Sequence, residues 1–169
     1  MPSFTGVWKI DTELSNVWDP VTKTYVPDDV GEEIITIRID GDVQDYEVLY
    51  GSYPTVVMGY NTRYDDTEWK PYEVREVRDV SEAGLEADLA RHRERVKSTA
   101  SFKPGTAYGL VRSVYVDERT HYRVTKNQDS GLAEYVMMRR LSEDGNRYFA
   151  TVLHTNGVIN RTRHFERIG

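Results

Sequence analysis

Polar and apolar residues alternate along most of this chain, which is the period-two signature of strands that bury one face. In Glu33-Ile34-Ile35-Thr36-Ile37-Arg38-Ile39, one face carries Ile35, Ile37 and Ile39 and the other Thr36 and Arg38. Asp40-Gly41 follows as a hairpin turn, and residues 43–50 alternate again, with Gln44, Tyr46, Val48 and Tyr50 opposite Asp45 and Glu47. Further strands are predicted over 53–64, 68–77, 108–116, 121–126, 132–141, 147–155 and 158–168. Turn residues separate them, among them Asp65-Asp66, Asp117-Glu118-Arg119, Asp129-Ser130-Gly131 and Asn156-Gly157. Short strands joined by short links predict an all-β, up-and-down antiparallel sandwich or barrel, with the region from Asp19 to Gly31 as a loop.

One segment departs from this rhythm. Ser81 is a helix N-cap candidate, and Leu85, Leu89, His92 and Val96 fall on one helical stripe before Lys103-Pro104-Gly105 ends the excursion. A helical insertion over about 79–98 is therefore expected within a single domain spanning residues 1–169.

Composition narrows the chemistry. The chain has no cysteine, which excludes disulfides and thiolate metal sites. Its net charge of −6 is spread along the sequence, whereas nucleic-acid binding needs a concentrated basic face. The first 30 residues carry no basic start followed by an apolar run, and no run approaches the roughly 20 apolar residues of a membrane span, so a cytoplasmic protein is expected, off the membrane. Twelve tyrosines and three tryptophans are the unusual feature, since tyrosine suits strands and also lines pockets with an apolar wall and a polar tip.

Phe4-Thr5-Gly6-Val7-Trp8-Lys9-Ile10-Asp11, with Ser15 shortly after, resembles the opening of small bacterial lipocalin-like domains of the calycin superfamily. Residues 60–66 resemble their mid-barrel strand and its turn, and the final two strands resemble their closing hairpin. The resemblance implies a barrel of about 8–10 strands whose first tryptophan closes one end under an arginine of the last strand, here Arg161 or Arg163. It leaves the insertion to cap the opposite end, the mouth.

Candidate chemistry then falls on inward faces. His92 on the helix stripe and His154 near a rim are candidate acid–base groups, since a neutral histidine titrates near working pH. On one face of residues 132–141 stand Tyr135, Met137, Arg139 and Leu141, of which Tyr135 and Arg139 complete the candidate catalytic set. Tyr46, Tyr50, Tyr60, Tyr108, Arg112, Met137 and Tyr148 are the candidate ligand-binding residues. His121 follows a turn and is expected to be exposed. No histidine pair has metal-ligand spacing and no nucleotide motif occurs, so neither metal nor cofactor is expected. A buried arginine needs either a carboxylate in the wall or an anionic ligand.

Three functions remain open at this point. One is a cofactor-independent lyase, isomerase, dehydratase or cyclase acting on a small apolar or aromatic molecule inside the barrel. The second is a carrier or sensor of such a molecule, and the third a scaffold that docks a partner through its insertion. A monomer or homodimer suits all three.

Overall fold

The alternating segments do form strands. A computed structural model describes residues 3–28, 31–50, 55–78 and 104–169. In it the strands are β1 (Gly6–Asp19), β2 (Thr24–Pro27), β3 (Glu33–Asp40), β4 (Val43–Tyr50), β5 (Thr55–Arg63) and β6 (Lys70–Arg78). After 79–103 come β7 (Ala107–Asp117), β8 (Thr120–Lys126), β9 (Ala133–Leu141), β10 (Arg147–His154) and β11 (Ile159–Arg167). Each strand from β3 onward pairs antiparallel with the next, and β1 pairs with both β3 and β11. Ten strands thus close into an antiparallel barrel, which removes the free sheet edges that invite aggregation.

β2 stands outside that ring, in a region whose sequence reads as a loop. It pairs only with the far part of β1, where Asn16 faces Pro27 and Asp19 faces Thr24. The reason is a bulge between Asp11 and Asn16, where Asp11 Oδ1 accepts from the Glu13 and Leu14 amides and the Ser15 hydroxyl donates to the Asp11 carbonyl. A break of this kind re-aims a strand, and here it makes room for a second hairpin on one flank. That hairpin delivers Asp28 to the barrel.

The two ends of the barrel differ. One gathers Phe4, the Gly41 hairpin, Tyr64 and the Asp117–Thr120 turn around Trp8. The other gathers Glu33, Tyr50, Lys126, Ala133 and His154, and there the chain leaves β6 and re-enters at β7. The helix expected over about 79–98, with His92, lies outside the described residues.

Trp8 plugs the first end. It is 0% exposed, its indole N–H donates to the Phe4 carbonyl at 2.9 Å, and Tyr148 meets it edge-on at 4.9 Å. The arginine above it is Arg167, whose guanidinium carbon sits 4.1 Å from the ring centroid, and not Arg161 or Arg163. The β1–β11 register decides this, because it sets Trp8 directly opposite Arg167. Arg167 also donates to the carbonyls of Ser3, Thr5 and Gly145 and so ties three segments to the plug. Gly6 makes this possible: a Cβ there would run into the Arg167 guanidinium and stand 2.8 Å from the Gly169 carbonyl oxygen.

Inside, Ile35, Ile37, Val48, Met58, Val74, Val111, Leu141 and Phe165 form the apolar core, each such side chain contributing about 1.5–3 kcal/mol by burial. Outside, the wall carries charge pairs such as Arg75 with Asp45 and Glu47, Lys9 with Glu32, and Arg147 with Glu166. Gly59 leaves the space that Arg75 fills, since a Cβ there would lie 2.6 Å from the Arg75 guanidinium carbon. Among the described residues no helix is long and apolar enough to cross a membrane.

Candidate functional site

Two neighbouring strands break the rule that apolar faces turn inward. On β7 the buried positions are Gly109, Val111 and Ser113, while Leu110, Arg112 and Val114 are only partly covered. On β8 the buried positions are Thr120, His121, Arg123 and Thr125, with Tyr122 and Val124 on the outer side. The sequence pattern points the other way on both strands, and the structure corrects it. Arg112 does not face the interior: its Nε donates to the Asp66 carbonyl at 2.7 Å and its guanidinium lies over Trp69. His121 is not exposed but 3% accessible.

The inversion places Arg123 inside the barrel at 4% exposure, beside Arg139 of β9 at 1%. The Arg123 guanidinium carbon lies 5.1 Å from the ring centroid of Tyr72, 5.4 Å from Tyr46, 5.6 Å from Tyr135 and 5.7 Å from Tyr60. Its Nη2 donates to the Tyr135 hydroxyl at 2.9 Å, and its Nε and Nη1 have no hydrogen-bond partner among the described residues. The cage is itself ordered: Tyr46 stacks on Tyr60 at 4.8 Å, Tyr60 meets Tyr72 edge-on, and the Tyr50 and Tyr72 hydroxyls are 3.1 Å apart. Burial pushes the Tyr46, Tyr50 and Tyr72 phenols above their ordinary range, so they stay protonated.

Arg139 is held differently. Its Nη2 donates to Gln44 Oε1 at 2.9 Å, its guanidinium lies over Phe4 and Tyr46, and its Nε and Nη1 are likewise unpartnered. Gln44 is a junction, accepting also from the Tyr60 hydroxyl at 3.2 Å and donating through Nε2 to the Tyr64 hydroxyl. Tyr64 in turn lies 2.9 Å from His121 Nδ1.

Charge bookkeeping isolates the site. The buried charged side chains among the described residues are Arg123, Arg139 and Arg163 against Asp28 and Glu33. Both carboxylates belong to Arg163, Asp28 at 2.8 Å and Glu33 at 2.7 Å. Arg123 and Arg139 therefore carry two positive charges in a low-dielectric interior with no carboxylate of the described residues beside them, inside a protein of net charge −6. Cation–π contacts return about 0.5–2 kcal/mol each. Desolvating an ion costs several kcal/mol, and aromatic rings leave four of these N–H-bearing nitrogens without an acceptor.

No protein-family model matches this chain, and no curated protein is significantly similar to it.

The structure brings most of the sequence-selected residues together. Tyr46, Tyr50, Tyr60, Tyr135, Met137, Arg139 and Tyr148 are interior, and Tyr108 packs against the same cluster from the β6–β7 bulge. His154 stands opposite Tyr135 at the end away from Trp8, their rings stacked 6.2 Å apart. Sequence reasoning missed Arg123 and His121. The signal was present, since His121, Arg123 and Thr125 form one alternating polar face, but polar faces are ordinarily the solvent side. Among the described residues no three histidine or acidic side chains converge as metal ligands would.

Proposed function

We propose that the barrel interior binds a small, planar organic anion, a carboxylate, enolate or phenolate on an aromatic or unsaturated frame. The observation that carries this reading is the pair of buried guanidiniums, Arg123 and Arg139, that have no carboxylate partner among the described residues. An anion seated on their free nitrogens would supply charge-assisted hydrogen bonds, and its flat frame would lie against the outer faces of the Tyr46–Tyr60 stack and Tyr72. The plug of Trp8 under Arg167 supports kinship with calycin barrels. With that end plugged, the entrance is proposed at the end near His154. On sequence alone, the segment over about 79–98 is proposed as the cap of that entrance, with His92 facing in, and the cytoplasm as the compartment.

A specific contact supports a second, catalytic reading. The Tyr135 hydroxyl accepts from Arg123, so its own proton is free to donate to an oxygen of the bound molecule, and His154 stacks against the same ring. That arrangement suits cofactor-free enolisation, dehydration or cyclisation, in which a placed acid contributes about 10²–10⁴-fold.

The test compares naphthalene-2-carboxylate with naphthalene-2-carboxamide, equal in shape and different in charge, by intrinsic fluorescence titration. The carboxylate should bind at least about tenfold tighter, and Arg123→Met should erase the difference, since one charge-assisted bond contributes about 1.5–3 kcal/mol. Equal affinities in the wild-type protein would contradict the proposal. Tyr135→Phe separates the two readings, leaving binding intact and abolishing turnover only under the catalytic one.

A further inference from the structure

The end of the barrel that Trp8 plugs is not featureless. Outside the plug lies a cleft of about 410 Å³ walled by Phe4, Ile39, Tyr64, Tyr115 and His121. Asp65 and Glu118 stand on its rim. The volume is within the range of small-molecule sites, and the walls are aromatic or apolar with a single buried polar group, His121. His121 is 3% exposed, packs 4.5 Å from the Phe4 ring and 5.3 Å from Tyr115, and its Nε2 has no partner. It takes no part in the interior cage.

Hydrogen-bond direction says what that nitrogen is. A guanidinium only donates, so the atom of Gln44 that meets Arg139 is its carbonyl oxygen. The Gln44 amide nitrogen therefore faces Tyr64 and donates to its hydroxyl. Tyr64, its oxygen already accepting from Gln44, is then assigned as the donor to Nδ1 of His121. The ring proton is then assigned to Nε2, a buried donor that makes no hydrogen bond of good geometry with the described residues. Burial first, and the Arg139 charge second, push the His121 pKa down to about 4, so the ring is neutral at working pH. Arg139, although it faces the interior, thus dictates the polarity of a cleft on the other side of the wall.

We infer that this cleft is a second binding site, separate from the barrel interior, for a flat uncharged molecule that presents a carbonyl oxygen to His121 Nε2–H. The carboxylates on the rim disfavour an anion there, and the fixed donor disfavours an ammonium group, which has no lone pair to accept the Nε2 proton. Apolar walls on several sides suit an aromatic ring carrying a ketone or amide.

Acetophenone and ethylbenzene, nearly the same shape with and without the carbonyl, are the probes. They are titrated into ¹⁵N-histidine-labelled protein, with long-range ¹H–¹⁵N spectra reporting tautomer and binding together. The free protein should show His121 protonated on Nε2. Acetophenone should shift that nitrogen saturably and bind about tenfold tighter than ethylbenzene, the equivalent of one hydrogen bond to a buried donor. His121→Phe should equalise the two probes, and Arg123→Met, which removes the charge from the interior, should leave the preference intact. A proton on Nδ1 in the free protein overturns the inference. So does ethylbenzene binding as well as acetophenone, benzylamine binding better than either, or no saturable shift with any of them. If His121→Phe does not fold, the wild-type tautomer and the wild-type probe pair decide the matter by themselves.

Discussion

Two sets of buried arginines in one barrel solve the same electrostatic problem in opposite ways. Arg163, 6% exposed on β11, is clamped between Asp28 and Glu33, and the carboxylates hold its pKa above the ordinary arginine value against the pull of burial. Arg123 and Arg139 are at least as deeply buried but rest on tyrosine rings, one hydroxyl and one amide oxygen. The first arrangement is matched in charge, although Arg163 Nη2 has no acceptor among the described residues. It staples the β2 flank, which supplies Asp28, and β3, which supplies Glu33, to the last strand. The second is incomplete by two charges. A side chain of the same type, at similar depth, is thus charge-paired in one place and without a carboxylate among the described residues in the other, and what separates them is whether the wall supplies the counter-ion.

The comparison breaks first on stability. Arg163→Met leaves Asp28 and Glu33 buried without their cation and should cost about 3–5 kcal/mol in urea unfolding. Part of that loss should return as the pH is lowered, because protonating the stranded carboxylates removes the buried charge. A loss that stays constant between pH 7 and pH 5 would mean that the pair is not what holds the flank.

The pH dependence of the wild-type protein is the next largest effect. His121 titrates at about 4 in the folded state against an ordinary value of 6.5. In that window the unfolded chain binds more protons, so stability falls as the pH drops, with a slope of up to about 1.4 kcal/mol per pH unit. The contribution is fully present above the ordinary histidine pKa and gone below about 4. Arg139→Met should narrow the window by removing a charge that opposes protonation, and His121→Phe should abolish it.

Gln44→Leu comes third. It strips Arg139 of its one hydrogen bond and Tyr64 of its donor, for an expected loss of about 1–3 kcal/mol. Without Gln44 nothing sets the direction of the Tyr64–His121 bond, so ¹⁵N spectra should show a mixture of His121 tautomers. Smallest is Tyr135→Phe, which removes one hydroxyl from Arg123 and should cost about 1 kcal/mol in the ligand-free protein.

Most of the barrel is legible in its alternation. The inward residues of β3 and β10, and Tyr46 and Val48 of β4, follow from their own strands because there the inward face is largely apolar or aromatic, whereas on β9 either face would bury an arginine and the structure selects the one with Arg139. The period-two rule fails on β7 and β8, where the buried face is the polar one, and that failure marks the site. A strand that sends His121 and Arg123 inward and Tyr122 and Val124 outward sacrifices local consistency, which is expected where function has its own demands. Two further features were beyond the reach of local pattern. The choice of Arg167 over Arg161 or Arg163 as the partner of Trp8 depends on the β1–β11 register, a contact between the chain's two ends. The short strand β2 exists only because the bulge in β1 opens a flank for it.

The unfolding midpoints of wild-type protein and Arg123→Met, each with and without saturating naphthalene-2-carboxylate, test the central claim most directly. If Arg123 is held in the interior for an anion, the ligand-free variant should be as stable as the wild type or more so, because a buried unpaired charge has been replaced by a hydrophobe of similar length. The carboxylate should then raise the wild-type midpoint and leave that of the variant where it is. A variant that unfolds as readily as Arg163→Met, with the same carboxylate shift as the wild type, would show instead that Arg123 is a structural cation.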